Sequence, residues 1–148
     1  MASVDTRVHI WGVDTPQRPW LTDGTADRFW ATAERAGVPA MVFVPGQVPQ
    51  LGEIAARQPA LWLVLDHLAL STETRDGALG PTLEPVLAAS RDPNIAVKAS
   101  AMPCYSTEAY PFWNLRRHIR RVVDAYGPRR VFRDTDLTRL RCPYIARR

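Results

Sequence analysis

The sequence has little cysteine, almost no lysine and no long apolar segment. Its two cysteines, Cys104 and Cys142, have neither a C-x-x-C spacing nor the Cys/His spacing of a metal site. The longest uncharged stretch, residues 36–52, is shorter than a membrane span and is interrupted by prolines. The first residues contain no basic segment followed by an apolar one, so no signal peptide is expected. These absences predict a cytoplasmic protein with reduced cysteines and no membrane partner.

The remaining composition is typical of a folded protein with a basic balance. Of the 148 residues, 46% are hydrophobic and 23% are charged, which excludes a disordered chain. The net charge is +4, and 18 of the 19 cationic residues are arginines spread along the chain. We expect these arginines to be solvated, as we expect of His118, and we predict no nucleic-acid partner. A basic nucleic-acid binder stays an alternative, because one predicted helix carries a run of four arginines, Arg116, Arg117, Arg120 and Arg121.

Short apolar segments alternate with amphipathic ones along the chain. The spacing predicts helices at residues 25–36, 48–57, 81–90 and 113–126, the first ended by Gly37 and the last by Gly127. The apolar runs between them predict five strands, at residues 7–12, 39–45, 61–66, 94–100 and 130–134. Alternating strands and helices are typical of parallel βαβ units, so we predict one α/β domain over residues 1–148.

Polar side chains follow the predicted strands at the point where each strand ends. In parallel α/β sheets these carboxyl ends meet at one edge, where functional residues are usually found. Four of the five strands bring an ionisable group to this edge, and together these groups predict a functional site. The candidates are His9 with Trp11, Asp66 with His67, Lys98 with Ser100, and Asp134 with Asp136.

Four segments of the chain carry a resemblance to a known family. They are D-x-R-x-H-x-W at residues 5–11, LDH at 65–67, NIAVKAS at 94–100 and GPRRVFxxTD at 127–136. In these segments the chain resembles the amidohydrolase-related (amidohydrolase 2) family of the amidohydrolase superfamily. That family consists of (β/α)8 barrel proteins and includes lactonases and decarboxylases. The resemblance implies a hydrolase acting on a lactone, or on a related carbonyl C–O or C–N bond, of a small carboxylated molecule.

The length of the chain modifies the fold that the resemblance implies. A complete (β/α)8 barrel needs roughly 200 residues at the least, and this chain has 148. Relative to the family, strands two to four have no counterpart. We therefore expect a partial (β/α)8 (TIM) barrel, an incomplete amidohydrolase-related domain whose five parallel strands form an open arc with flanking helices. The expected order is 39–45, 61–66, 94–100, 130–134 and 7–12. Both outer strands of such an arc are open, which predicts a homo-oligomer or a marginally stable monomer.

The resemblance also implies roles for the residues at the strand ends. Asp136 is expected to act as the catalytic base, with His67 and His9 as catalytic groups that polarise the substrate carbonyl. We expect these three side chains to lie within roughly 10 Å of one another, as neighbouring strand ends of a small barrel do. The residues expected to bind the substrate are Arg7, Lys98, Trp11 and Ser100.

The metal requirement is expected to differ from that of the family's metal-binding members. Their first strand carries His-x-His, where this chain has Arg7 and His9, and their fifth-strand histidine has no counterpart at residues 42–44. We therefore expect no cofactor; a divalent metal such as zinc, if bound, is expected at His9, His67 and Asp136. The alternative to an enzyme is a catalytically inactive barrel fragment or a self-associating protein.

Overall fold

The computed structural model describes residues 19–136, and these residues contain a four-stranded parallel sheet. Its strands are β1 (Ala40–Val42), β2 (Leu63–Leu65), β3 (Ile95–Ser100) and β4 (Val131–Asp134). They lie side by side in the order β1-β2-β3-β4, and every neighbouring pair is parallel. The predicted order is therefore confirmed for these four strands. The fifth predicted strand, at residues 7–12, lies outside the described residues.

Of the four α-helices within residues 19–136, the first precedes β1 and each of the other three connects two consecutive strands. They are α1 (Asp27–Ala36), α2 (Val48–Arg57), α3 (Leu79–Ala88) and α4 (Trp113–Tyr126). The ends of α2 and α4 are those predicted, whereas α3 begins at Leu79 and ends at Ala88. This shift places Pro81 in the first turn of α3, where its missing N–H has no partner to lose. None of the helices within residues 19–136 is long and apolar enough to cross a bilayer.

The two faces of the sheet are in different surroundings. Side chains alternate between the faces of a strand, and Leu63, Leu65, Ile95 and Val97 belong to the buried core that includes the helices. The opposite face, which we call the inner face, carries Met41, Val64, Ala96, Lys98 and Phe132, aligned by the strand pairing. Met41 and Phe132 on this face are 57% and 50% exposed.

Arg130, within the GPRRVF segment, has a structural role. Its Nη1 donates hydrogen bonds to the carbonyl oxygens of Asp92 (2.9 Å) and Ile95 (3.0 Å), and its Nη2 donates to that of Ser90 (2.9 Å). Its Nε donates to the Tyr126 carbonyl at 3.1 Å. The guanidinium therefore joins the end of α4 to the residues that precede β3, and it fixes where β4 starts.

His118 is the clearest correction to the sequence-based expectations. It was expected to be solvated, but its residue is only 4% exposed. It lies on the buried stripe of α4 formed by Leu115, His118, Val122 and Tyr126, and its Cε1 is 3.7 Å from the position that a Cβ on Gly80 would occupy. Burial, together with the nearby Arg117 and Arg121, holds the pKa of His118 below its ordinary value.

Candidate active site

The carboxyl ends of β2, β3 and β4 bring their polar side chains to one edge of the sheet. The parallel register aligns Ser100 with Asp134, and β2 is followed directly by Asp66 and His67. His67, which follows β2, reaches across the end of β3 and meets Asp136, which follows β4. The sheet thus assembles one cluster from residues far apart in the chain.

Both ring nitrogens of the His67 imidazole lie close to oxygen atoms of other side chains. Its Nδ1 lies 2.6 Å from the Oγ of Ser100, which is fully buried. Its Nε2 lies 3.1 Å from Asp66 Oδ2 and 3.3 Å from Asp136 Oδ2, and the ring meets that of Phe43 edge-on at 5.6 Å between centroids. The expected proximity of His67 and Asp136 is confirmed, while His9, the third expected member, lies outside the described residues.

The backbone that presents His67 is strained. A short turn, Asp66–Ala69, follows β2 directly, and within it His67, Leu68 and Ala69 have left-handed φ angles of 52°, 52° and 49°. L-residues avoid this left-handed region, at a cost of roughly 1–2 kcal/mol each. One hydrogen bond that stabilises the turn runs from the His67 N–H to Asp66 Oδ1, at 3.0 Å. Such strain is commonly found where a fold fixes a functional side chain.

Lys98 connects two carboxylates along the same edge. Its Nζ lies 2.7 Å from Asp134 Oδ2 and 3.3 Å from Asp66 Oδ1. Burial alone would lower the pKa of Lys98, but the hydrogen bond to Asp134 and the charge of Asp66 outweigh it and raise that pKa above its ordinary value. The pKa of Asp134 is lowered by its hydrogen bonds from Lys98 and Thr135. At neutral pH the ammonium and both carboxylates are therefore charged.

The Asp66 carboxylate contacts both His67 and Lys98. Burial would raise the pKa of its carboxyl, but the hydrogen bond from His67 and the charge of Lys98 hold that pKa below the ordinary value. Its two oxygens are divided between its neighbours: Oδ1 faces Lys98 and Oδ2 faces His67. Asp66 therefore couples the imidazole electrostatically to the ammonium.

Asp136 differs from the other two carboxylates of the cluster. Its Oδ2 is buried and accepts no hydrogen bond from the described residues, although it lies 3.3 Å from His67 Nε2. Its backbone φ of 42° is also in the left-handed region. A buried carboxylate oxygen without a donor is an uncommon arrangement. It leaves this oxygen available to a proton or to a donor that a substrate brings.

The structure gathers four of the residues predicted for the site and leaves three undescribed. Asp136, His67, Lys98 and Ser100 form one cluster, while Arg7, His9 and Trp11 lie outside residues 19–136. Asp66 and Asp134 were placed at the same edge from the sequence but were not selected as site residues. Their role could have been predicted from Lys98, the only lysine of the chain. Its strand lies between the strands that end at Asp66 and at Asp134, so its ammonium can reach both carboxylates.

The described residues do not by themselves fit a metal ion. Within residues 19–136, no group of three His, Cys, Asp or Glu side chains is arranged to hold one. The chemistry of the donors agrees, because one oxygen of Asp66 and one of Asp134 are already paired with the single ammonium of Lys98, at 3.3 and 2.7 Å. His9, which was expected to complete any metal site, is not among these residues.

Comparison with known proteins agrees with the fold and with the motifs. A family model described as Amidohydrolase matches residues 7–132. A crystal structure of an amidohydrolase from Burkholderia multivorans with bound zinc is 24% identical, with a TM-score of 0.67, over 80% of this chain and 44% of that one. The same kind of protein from that organism with bound HEPES is 23% identical, with a TM-score of 0.65, over 80% and 45%.

A more distant structure extends the likeness. An amidohydrolase 2 from Bifidobacterium longum subsp. infantis is 18% identical, with a TM-score of 0.51, and the match covers 74% of this chain and 39% of that one. No curated protein sequence matches the chain. The chain thus spans less than half the length of the solved structures that it matches, and the likeness to them shows a shared fold. The four described strands correspond to part of the fold of these structures.

Proposed function

Because the chain belongs to the amidohydrolase family, we propose that it is a hydrolase that acts on a lactone, or on a related carbonyl C–O or C–N bond, of a small carboxylated molecule. The observation that carries this proposal is the pairing of His67 Nε2 with Asp136 Oδ2 at 3.3 Å on the carboxyl edge of the sheet. A carboxylate and an imidazole at this separation can transfer protons to and from one reacting group.

The geometry supports the following roles for Asp136 and His67 in the reaction. The Asp136 carboxylate takes a proton from water as the water oxygen attacks the substrate carbonyl carbon. The N–H at His67 Nε2 donates to the carbonyl oxygen, which gains negative charge as the tetrahedral intermediate forms. The intermediate collapses by breaking the ring C–O bond, and the proton held by Asp136 passes to the departing alkoxide. Water is consumed, a hydroxy acid forms, and Asp136 returns to its carboxylate form.

Ser100 contributes through His67. Its hydroxyl is fully buried against Nδ1, so we propose that it positions the imidazole. Since Nε2 faces two carboxylate oxygens, the proton of a neutral ring is assigned to Nε2, and Nδ1 accepts the hydrogen bond from the Ser100 hydroxyl. This tautomer is the one that the proposed donor role of His67 needs. The expected contact of Ser100 with substrate stays a prediction.

We also propose that the reaction needs no metal ion. The support is the donor chemistry of the cluster: Lys98 pairs with two of its three carboxylates. A substrate carboxylate would bind to Arg7, since the ammonium of Lys98 already has two carboxylate partners. The cytoplasmic location likewise stays a prediction.

The alternatives make different predictions. A catalytically inactive barrel fragment would show no hydrolysis with any substrate. A nucleic-acid binder would need its arginines on one open face, but Arg121 pairs with Glu84 at 2.7 Å and Arg117 donates to His118 at 3.2 Å. Arg116 stacks over Trp113 at 5.5 Å. These engagements within α4 and with α3 favour a surface stabilised by its own contacts.

A panel of sugar lactones, measured with a pH-stat that detects the released acid, tests the proposal. We expect turnover of at least one lactone by the 148-residue chain, unchanged after treatment with a metal chelator. His67→Ala should lower kcat by about 10²–10³, the usual effect of removing a preorganised donor. Absence of turnover across the panel would favour the inactive fragment, and loss of activity with the chelator would contradict the metal-free reaction.

A further inference from the structure

We infer that the substrate carries a flat apolar ring beside its carbonyl group, such as a benzene ring fused to a lactone, and that Phe43 determines this specificity. The inference rests on the proposed hydrolase function, because it takes His67 as the residue that meets the carbonyl oxygen. Its test measures binding without turnover, so the inference and the proposed hydrolysis can fail separately.

Phe43 lies on the inner face of the sheet, directly after β1. Its neighbours Val42 and Val44 are buried in the core that includes the helices, and successive side chains of an extended segment point to opposite faces. The Phe43 side chain is only partly buried, and its ring meets the His67 ring edge-on with 5.6 Å between centroids. Phe43 therefore places an aromatic ring next to the imidazole, on the face opposite the helices.

The charged groups of the site lie between apolar side chains on the inner face. The strand pairing, continued by one residue beyond β1 and β2, places four side chains in one row across this face: Phe43, Asp66, Lys98 and Phe132. A second row, two residues towards the amino ends of the strands, consists of Met41, Val64 and Ala96. A molecule bound at His67 on this face therefore has apolar side chains next to it.

These apolar side chains favour a flat apolar ring over a hydroxyl-rich one. Aromatic rings pair at centroid separations of about 4.5–7 Å, in stacked or edge-to-face geometry, and Phe43 already pairs in this way with His67. The phenyl ring offers no hydrogen-bonding group, so hydroxyl groups placed against it would lose water without gaining a partner. Among lactones, the site should therefore prefer those with an aromatic ring and few hydroxyl groups.

The experiment compares the binding of two lactams, whose amide bonds are much less reactive than the ester bond of a lactone. One is δ-valerolactam, and the other is dihydroquinolinone, which is δ-valerolactam with a fused benzene ring. Each is titrated into the whole chain, and the dissociation constant is measured from NMR chemical shifts while the ligand spectrum verifies that the lactam stays intact. We expect the fused-ring lactam to bind about five- to tenfold more tightly, the effect of burying one face of a benzene ring.

Three variants test whether Phe43 causes this preference. Phe43→Ala should bind the two lactams with affinities within about twofold of each other, whereas Phe43→Tyr, which keeps a ring, should retain the preference. Phe29→Ala is the control, because it removes a ring that is 39% exposed on α1, and it should also retain the preference. The ratio of affinities is compared within each variant, so a general loss of carbonyl binding does not affect it.

The possible outcomes separate the inference from the proposed function. Equal affinity of the original chain for the two lactams, or binding of neither, would overturn the inference. A preference that Phe43→Ala retains, or one that Phe29→Ala loses, would also overturn it, because contact with Phe43 would then not be the cause. Lactone turnover without the preference would leave the proposed hydrolysis standing, and the preference without turnover would leave the inference standing.

Discussion

At the scale of single residues, the cluster depends on how His67 is held. Its two ring nitrogens face a buried serine and two carboxylates, and its backbone begins a left-handed turn of three residues. Strand ends and the parallel arrangement were enough to predict that Asp136, His67, Lys98 and Ser100 meet. Their pairing could not be predicted, because it depends on side-chain directions and on the strained turn, which the propensities of L-residues disfavour.

Ser100 provides a test of this positioning. Ser100→Ala removes the hydroxyl that bonds to Nδ1, so the ring can turn or change tautomer, and we expect kcat on a lactone to fall between about 10- and 100-fold. KM should change little, because the hydroxyl is buried behind the ring. Ser100→Thr, which keeps the hydroxyl, should restore most of kcat. A change in KM alone would instead indicate direct substrate contact.

The left-handed turn after β2 makes a prediction about stability. Ala69 and Ala55 are both buried, but Ala69 has a φ of 49° whereas Ala55 lies within α2. Glycine adopts positive φ freely and is unfavourable in a helix by roughly 0.5–1 kcal/mol relative to alanine. In urea denaturation we expect Ala55→Gly to lower the free energy of unfolding by at least this amount. Ala69→Gly should lower the free energy of unfolding by less than Ala55→Gly does, or should raise it. An equal decrease in the two variants would show that the turn is unstrained.

At the scale of the elements, the helices were better predicted than the strands. The bounds of α2 and α4 were predicted at both ends, since Gly127-Pro128 cannot continue a helix and the apolar spacing is regular. The strands are shorter than predicted, because pairing with a neighbour and not apolar composition sets their ends. The burial of His118 was missed, although its spacing from Leu115 and Val122 places it on the apolar stripe of α4.

The packing of α3 against α4 predicts a pH dependence of stability. The pKa of His118 is lowered in the folded chain by burial, Arg117 and Arg121, so the unfolded chain binds more protons below about pH 6.5. The contribution of His118 to stability is therefore complete above that pH and is lost as the pH falls below it. Urea denaturation at pH 8 and pH 5.5 should show this loss, and His118→Gln should show less of it. An unchanged pH dependence in that variant would contradict the assignment.

At the scale of the whole molecule, the inner face of the sheet is the notable surface. Met41 and Phe132 on that face are about half exposed, and Trp62, just before β2, is 48% exposed. Exposed apolar side chains on one face of a sheet favour association with another protein surface. The family match and the four-strand order could be predicted from motifs and alternation, whereas the exposure of these side chains depends on how the strands pair and pack.

Self-association follows from this surface as a prediction. Light scattering coupled to gel filtration should give a mass of at least a dimer for the 148-residue chain. Phe132→Glu places a charge on the inner face and should shift the population towards monomer. Val38→Glu, at a residue that is 57% exposed and precedes β1, serves as the control and should not. A monodisperse monomer with a cooperative melting transition at high temperature would contradict this prediction.

The central claim is that Asp136 is the base of a hydrolytic site, and the rate of lactone hydrolysis by Asp136→Asn tests it most directly. An amide cannot take a proton from water, so the account predicts that this variant has no measurable kcat above the uncatalysed rate. Asp124→Asn, which changes an exposed carboxylate on α4, should retain the activity of the original chain. Full activity of Asp136→Asn would contradict the account.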